Sequence, residues 1–134
     1  VGFTMLITVT GLQWGILTEG FFKACYSEDW GLISIDLVTL LDGLFLVAAV
    51  LISFGAVIGK VSPLQLMVMC FLEAIFYSLN KAVLLLGVVD MVDAGGTINI
   101  HMFGAYFGLA VAYMLGKPHY TAEDEAGHIS DLFS

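Results

Sequence analysis

The sequence predicts an all-α protein, a polytopic bundle of membrane helices. Hydrophobic residues make up 60% of the 134 positions and the mean hydropathy is +0.99, whereas soluble domains are about 45–50% apolar. Four apolar runs approach or exceed the length of about 20 residues that a helix needs to cross a bilayer. The runs are continuous and do not alternate between apolar and polar residues, which excludes a transmembrane β-barrel.

The four predicted spans take up most of the chain. They are residues 1–22, 43–59, 63–86 and 97–116, and residues 117–134 are predicted to form a polar cytoplasmic loop. The lead-in to the second span, from Leu32, is amphipathic, as is typical of a segment at the membrane interface. Residue 1 is a Val inside an apolar run, and the last five residues read as the start of a new element. We therefore expect a fragment of a longer polytopic protein.

The connection between the second and third spans has clear turn chemistry. Ser62 is a good N-cap and Pro63 suits the first position of a helix, so a tight hairpin at residues 60–62 joins the two spans. Lys60 and Lys117 lie at span ends on one side of the membrane, and Lys23 lies on the other. Because Lys and Arg favour the cytoplasmic side, we predict that the hairpin and the tail are cytoplasmic.

Composition and motifs exclude several functions. The formal charge is −8 with only four basic side chains, which does not suit nucleic-acid binding. The two cysteines, Cys25 and Cys70, form neither a zinc spacing nor a disulfide framework. The sequence has no phosphate-binding loop, dinucleotide fingerprint, hydrolase triad or metal cluster. We expect neither an enzyme activity nor a cofactor.

His101, inside the fourth span, is the first candidate functional residue. An ionisable side chain in a membrane span is costly, so by default it marks a path for a polar solute. The alternative is a structural histidine that is hydrogen-bonded between helices. On a regular helix, Gly104 and Gly108 share its face, which predicts a ring aimed at a neighbouring helix or a lumen and not at lipid.

Asp93, just before the same span, has two interpretations. As a cap, its carboxylate would accept hydrogen bonds from the N–H groups of the turn at residues 95–97 and favour the helix N-terminus. As a pore-mouth residue, it would attract a cation. In the fourth span Gly104, Gly108 and Ala112 repeat every four residues, which predicts close packing against another helix.

Three further residues of the second and third spans stand out. Phe45 begins a dense apolar run, where a phenylalanine is usually a packing or lipid contact. Glu73 lies near mid-span, so we expect it to face protein. Lys81 lies two turns further along the same face, too far for a direct pair with Glu73.

Three stretches of the chain resemble the Rh glycoproteins, a branch of the ammonium transporter superfamily. They are GLQWGIL at 11–17, ISFGAVIGKVSPLQLMVM at 52–69 and DAGGTINIHMFGAYFGLAVA at 93–112, and the likeness is collinear over nearly the whole chain. The resemblance implies an ammonium transporter-like fold of eleven or twelve helices, of which this chain would be helices two to five. It also implies homo- or hetero-trimers in the plasma membrane. The function that the resemblance implies is facilitative transport of ammonium or ammonia through an apolar, histidine-lined pore.

The resemblance also implies roles for individual residues. His101 matches the first of two facing pore histidines, Phe45 matches the outer gate, and Asp93 matches the acidic residue at the start of the histidine helix. Asn80 and Lys81 match the outer vestibule, where relatives commonly carry a Glu after the Asn. A lysine there would repel ammonium.

Two other functions fit the resemblance. One is a structural or scaffold Rh-type membrane protein without transport, and the other is a carbon dioxide channel. The presence of His101, Phe45 and Asp93 argues against a scaffold, whereas the sequence does not separate carbon dioxide from ammonia.

Overall fold

The structure, a computed structural model, describes residues 2–87, 89 and 91–116, and the predicted loop at 117–134 lies outside these residues. The described part is helical and contains no strand. The four α-helices are α1 (Gly2–Ser27), α2 (Leu37–Val57), α3 (Pro63–Lys81) and α4 (Phe103–Leu115). Helix α3 runs on into a π-helical turn at Ala82–Leu86, and a second π-helical turn, Thr97–Met102, leads into α4. The predicted fold class is confirmed.

Three of these helices are long and apolar enough to cross a membrane, judged by length and composition. They are Leu37–Val57, Pro63–Leu85 and Thr97–Leu115. Helix α1 has 26 residues but is not among the three, and its apolar run is interrupted by several threonines, Gln13 and Glu19. A first span at residues 1–22 stays a prediction.

Helix α2 begins at Leu37, six residues before the dense apolar run that predicts the second span at 43–59. The reason is a cap at Asp36, whose carboxylate accepts hydrogen bonds from the backbone N–H and the hydroxyl of Thr39, each at 2.8 Å. These two bonds stabilise the ionised carboxylate and hold the pKa of Asp36 below its ordinary value. The amphipathic lead-in therefore supplies the first turn and a half of the helix.

Helix α3 begins as its sequence predicts. Ser62 and Gln65 form a reciprocal capping box, in which each side chain accepts a hydrogen bond from the backbone N–H of the other residue, and Pro63 follows the cap. The preceding turn uses Gly59 at φ 74°, a backbone conformation that costs glycine little.

Helix α2 lies at the centre of the bundle. Helices α1 and α4 both pack against it, and α3 packs chiefly against α1. The buried core joins all of them. Its largest fully buried apolar side chains are Ile7, Leu46, Val50, Val57 and Tyr77.

The glycine face of α4 packs closely against α2. A Cβ atom placed on Gly104 would lie 2.7 Å from the Ala49 carbonyl oxygen, and one on Gly108 would lie 2.7 Å from Ser53 Cα. Only glycine permits this approach, and backbones that touch in this way gain van der Waals contact. The predicted close packing of this face is confirmed.

Candidate functional site

His101 lies in the π-helical turn Thr97–Met102, and its side chain is exposed on the surface of the described chain. Its N–H bonds to the Gly96 carbonyl five residues earlier, at 3.3 Å, which is the bonding pattern of a π-helix. A π-helical turn holds more residues than an α-helical turn. It therefore rotates His101 relative to Gly104 and Gly108, which are buried against α2. A ring aimed at a neighbouring helix outside this chain or at a lumen stays a prediction.

Asp93 caps the turn that carries His101. Its carboxylate accepts hydrogen bonds from the N–H of Ile98, at 3.1 and 3.2 Å from the two oxygens, and from the N–H of Asn99 at 2.8 Å. The donors therefore lie beyond the turn at residues 95–97 that we expected. The chain reaches this geometry because Gly95 and Gly96 adopt positive φ angles of 81° and 70°, which cost glycine little.

Asn99 is a site residue that the sequence patterns did not indicate. Its side chain is buried, and its amide oxygen accepts a hydrogen bond of 3.1 Å from the Asn80 side chain on α3. Because the Asn99 N–H also donates to Asp93, this residue links the cap to α3. The sequence contained one indication of this role: Asn99 is a second polar side chain in an apolar span, two residues before His101.

Phe45 lies on α2 with 41% of its surface exposed, beside the buried Leu46 and Val47. The π-helical turn that carries His101 contacts α2, so the two predicted pore residues lie on neighbouring elements. Both face outward from the described chain. This arrangement leaves both rings free to line a space that these helices do not fill themselves.

Lys81 carries a charge that the structure neutralises locally. Its ammonium group lies 2.8 Å from a Glu19 carboxylate oxygen on α1 and 3.0 Å from an Asp42 oxygen on α2. The three groups line a cavity of about 350 Å³, with Ser78 and Thr39 among the other lining residues. As predicted, Lys81 is not paired with Glu73; its partners are Glu19 and Asp42.

Asn80 and Lys81 are adjacent in sequence but line different cavities. Asn80 lies at an open cavity of about 360 Å³, whose other lining residues are Leu84, Ile98, Met102, Phe103, Tyr106 and Phe107. Phe103 and Phe107 stack there with ring centroids 5.9 Å apart. The structure therefore does not bring the two predicted vestibule residues into one cavity. Neither cavity is lined by Phe45, Asp93 or His101.

Glu73, predicted to face protein, is fully buried where α2, α3 and α4 meet. Ser53 is hydrogen-bonded both to a Glu73 carboxyl oxygen and, at 2.8 Å, to the Gly104 carbonyl oxygen. This polar contact between three helices lies one turn from His101 along α4. Among the described residues, no group of His, Cys, Asp and Glu side chains has the arrangement of a metal site.

The sequence matches known proteins over its whole length. A model of the Ammonium Transporter Family matches residues 1–133. The chain is 41% identical to the ammonium transporter Rh type C of Bos taurus, 42% identical to Rh type B of Bos taurus and 41% identical to Rh type B of Danio rerio. Each match covers all of this chain and 29% of the relative. With three helices of membrane-spanning length, this is a multi-pass membrane chain, and it belongs to the ammonium transporter family.

Proposed function

We propose that the full-length protein is a facilitative channel for ammonium or ammonia, in the plasma membrane, with His101 in its pore. Membership of the ammonium transporter family supports the substrate class. The observation that carries the proposal is the exposed His101 in a π-helical turn that Asp93 caps. π-helical turns inside longer helices occur frequently at functional sites, and an ionisable residue in a span is a functional candidate by default.

The proposed chemistry follows from the size and charge of the substrate. Moving an ammonium ion into an apolar pore without partners is expensive. The ion must therefore lose its proton or pass between hydrogen-bonding groups. A neutral imidazole has one donor and one acceptor nitrogen, so His101 can bond the small solute while Phe45, as the outer gate, excludes bulk water. Selectivity then comes from the width and the lining of the pore.

Lys81 is compatible with this function. A free lysine at a vestibule would repel ammonium, but here two carboxylates, Glu19 and Asp42, bind the ammonium group of the side chain. The cluster as a whole carries a formal charge of −1. We therefore propose that the Lys81 charge leaves cation recruitment intact. The trimer implied by the resemblance stays a prediction.

The proposal is tested in cells that lack their own ammonium uptake. The full-length protein should restore uptake, and His101→Ala and Phe45→Ala should each reduce it at equal membrane abundance. Met114→Ala, an exposed position near the far end of α4, is the matched control. Undiminished uptake in both pore variants would overturn the assigned roles. Uptake no higher than in empty cells would favour the alternative that the protein is a structural scaffold without transport. Measuring carbon dioxide flux into liposomes would test the alternative that it is a carbon dioxide channel.

A further inference from the structure

The contact between Ser53, Glu73 and Gly104 joins three helices deep in the bundle. The Ser53 hydroxyl on α2 touches a Glu73 carboxyl oxygen on α3 and the Gly104 carbonyl oxygen on α4. Ser53 and Glu73 are both 0% exposed, and Gly104 is buried. Because these helices already enclose Glu73, its surroundings do not depend on further parts of the protein.

Counting protons determines which group donates. A hydroxyl carries one hydrogen, a carbonyl oxygen only accepts, and an ionised carboxylate also only accepts. The single proton of Ser53 can serve only one of these two contacts. If Glu73 were ionised, one of the two contacts would therefore have no hydrogen between its oxygens and would be repulsive. A protonated Glu73 instead donates to a lone pair of Ser53, and every contact in the chain of bonds is satisfied.

The surroundings of Glu73 agree with a neutral acid. Among the described residues, its second oxygen has no hydrogen-bond partner and no cation lies within ion-pair distance. Its titratable neighbours along α3 are Cys70 and Tyr77, one turn to either side, while α2 and α4 contribute the Ser53 hydroxyl and the Gly104 carbonyl. An unpaired buried carboxylate would be far more costly than a hydrogen-bonded carboxylic acid.

We propose that Glu73 is a neutral carboxylic acid that donates to Ser53, which in turn donates to Gly104, and that this relay positions the helix carrying His101. Gly104 lies three residues after His101, at the closest contact between α4 and α2. Glu73 is thus a positioning residue. Its effect on transport rests on the proposed function, whereas its protonation state does not.

Infrared difference spectroscopy of the full-length protein in lipid tests the protonation state directly. We expect a carboxylic-acid C=O band at neutral pH that shifts in heavy water and is absent from Glu73→Gln. Glu19→Gln, which alters an ion-paired carboxylate, is the control and should leave this band in place. Loss of ionised-carboxylate bands in Glu73→Gln, with no acid band lost, would overturn the proposal.

A second variant keeps the test decisive if Glu73 variants do not accumulate. Ser53→Ala removes the acceptor of the Glu73 proton, so the acid band should move to higher frequency, as expected for a weaker hydrogen bond. An acid band that stays unchanged in Ser53→Ala would show that Glu73 does not donate to this hydroxyl. Neither spectroscopic result requires the protein to transport ammonium.

Transport by conservative variants tests the positioning role. Glu73→Gln retains a donor for Ser53, so uptake should stay within about twofold of the wild type, whereas Glu73→Leu should lose roughly fivefold, the effect of about one hydrogen bond. The half-saturating ammonium concentration should change little, because Glu73 does not touch the substrate. Equal losses in the Gln and Leu variants, at equal membrane abundance, would contradict the relay.

Discussion

Asp93 accepts hydrogen bonds from two successive backbone N–H groups, those of Ile98 and Asn99. The turn that follows carries His101, so the carboxylate orders the histidine without touching it. The predicted capping role is thus present with different donors, the N–H groups of Ile98 and Asn99 instead of those of residues 95–97. A role in attracting a cation stays a prediction.

Removing the Asp93 cap should destabilise the His101 turn. We expect Asp93→Ala to lower the free energy of unfolding by about 1–2 kcal/mol and to reduce ammonium uptake, because the unbonded N–H groups no longer fix the turn. Asp93→Asn retains one acceptor oxygen, so its stability and its ammonium uptake should both fall less than those of Asp93→Ala. Thermal unfolding in detergent and uptake in cells provide the two measurements. An Asp93→Ala variant with wild-type stability would argue against the cap.

Lys81 should behave as the central member of an ion triad. In Lys81→Met, Glu19 and Asp42 lose their shared cation, and we expect the free energy of unfolding to fall by about 1–2 kcal/mol, because the ion pairs are partly exposed and water screens the stranded carboxylates. Adding Glu19→Gln to Lys81→Met removes one stranded charge, so the double variant should regain part of the lost free energy of unfolding. The thermal midpoints of the single and double variants measure this coupling. Strictly additive effects would show that the two side chains do not interact.

At the scale of elements, the contact of α4 with α2 depends on glycine. Gly108→Ala would place a methyl group 2.7 Å from Ser53 Cα, where backbone must move. Gly55→Ala on α2 is the matched control, because a Cβ there meets nothing within 4 Å.

We expect Gly108→Ala to lose about 1–3 kcal/mol of stability from overpacking. Gly55→Ala should be neutral or stabilising by up to about 1 kcal/mol, from helix propensity. Thermal unfolding of both variants of the full-length protein is the measurement. Similar midpoints for the two variants would contradict the close helix contact.

The N-terminal cap of α2 should depend on pH. The hydrogen bonds from Thr39 hold the pKa of Asp36 below its ordinary value of about 3.9. The cap therefore contributes its full stability above the ordinary pKa, and this contribution is lost as the pH falls through the lowered one. Hydrogen exchange at the Thr39 amide should accelerate, relative to neighbouring amides, over that acid range. Asp36→Asn should abolish this dependence, and an unchanged dependence would exclude Asp36 as its source.

Some of these elements could be predicted from the sequence and others could not. The N-cap at Ser62 and the glycine face of α4 follow from local patterns, and both are confirmed. The partners of Lys81 lie on two other helices, and the Asn80–Asn99 bond joins distant segments, so no local pattern contains them. His101 is exposed whereas Gly104 and Gly108 are buried, because the π-helical turn changes the helical period, which a pattern of regular α-helical spacing does not include.

At the scale of the whole molecule, α2 organises the described chain. Helices α1 and α4 cover parts of it, while Phe45 on α2 and His101 beside it remain exposed. The chain spans 29% of the length of its Rh relatives. We propose that other parts of the full-length protein complete the pore around these two exposed rings.

The most direct test of this account is ammonia flux into liposomes that contain the purified full-length protein. Wild type should raise the rate of internal alkalinisation above that of empty liposomes. His101→Ala should lower this rate, while Met114→Ala should leave it unchanged. If His101→Ala, correctly folded and reconstituted at equal density, conducts like the wild type, then His101 does not line the path and the central claim is wrong.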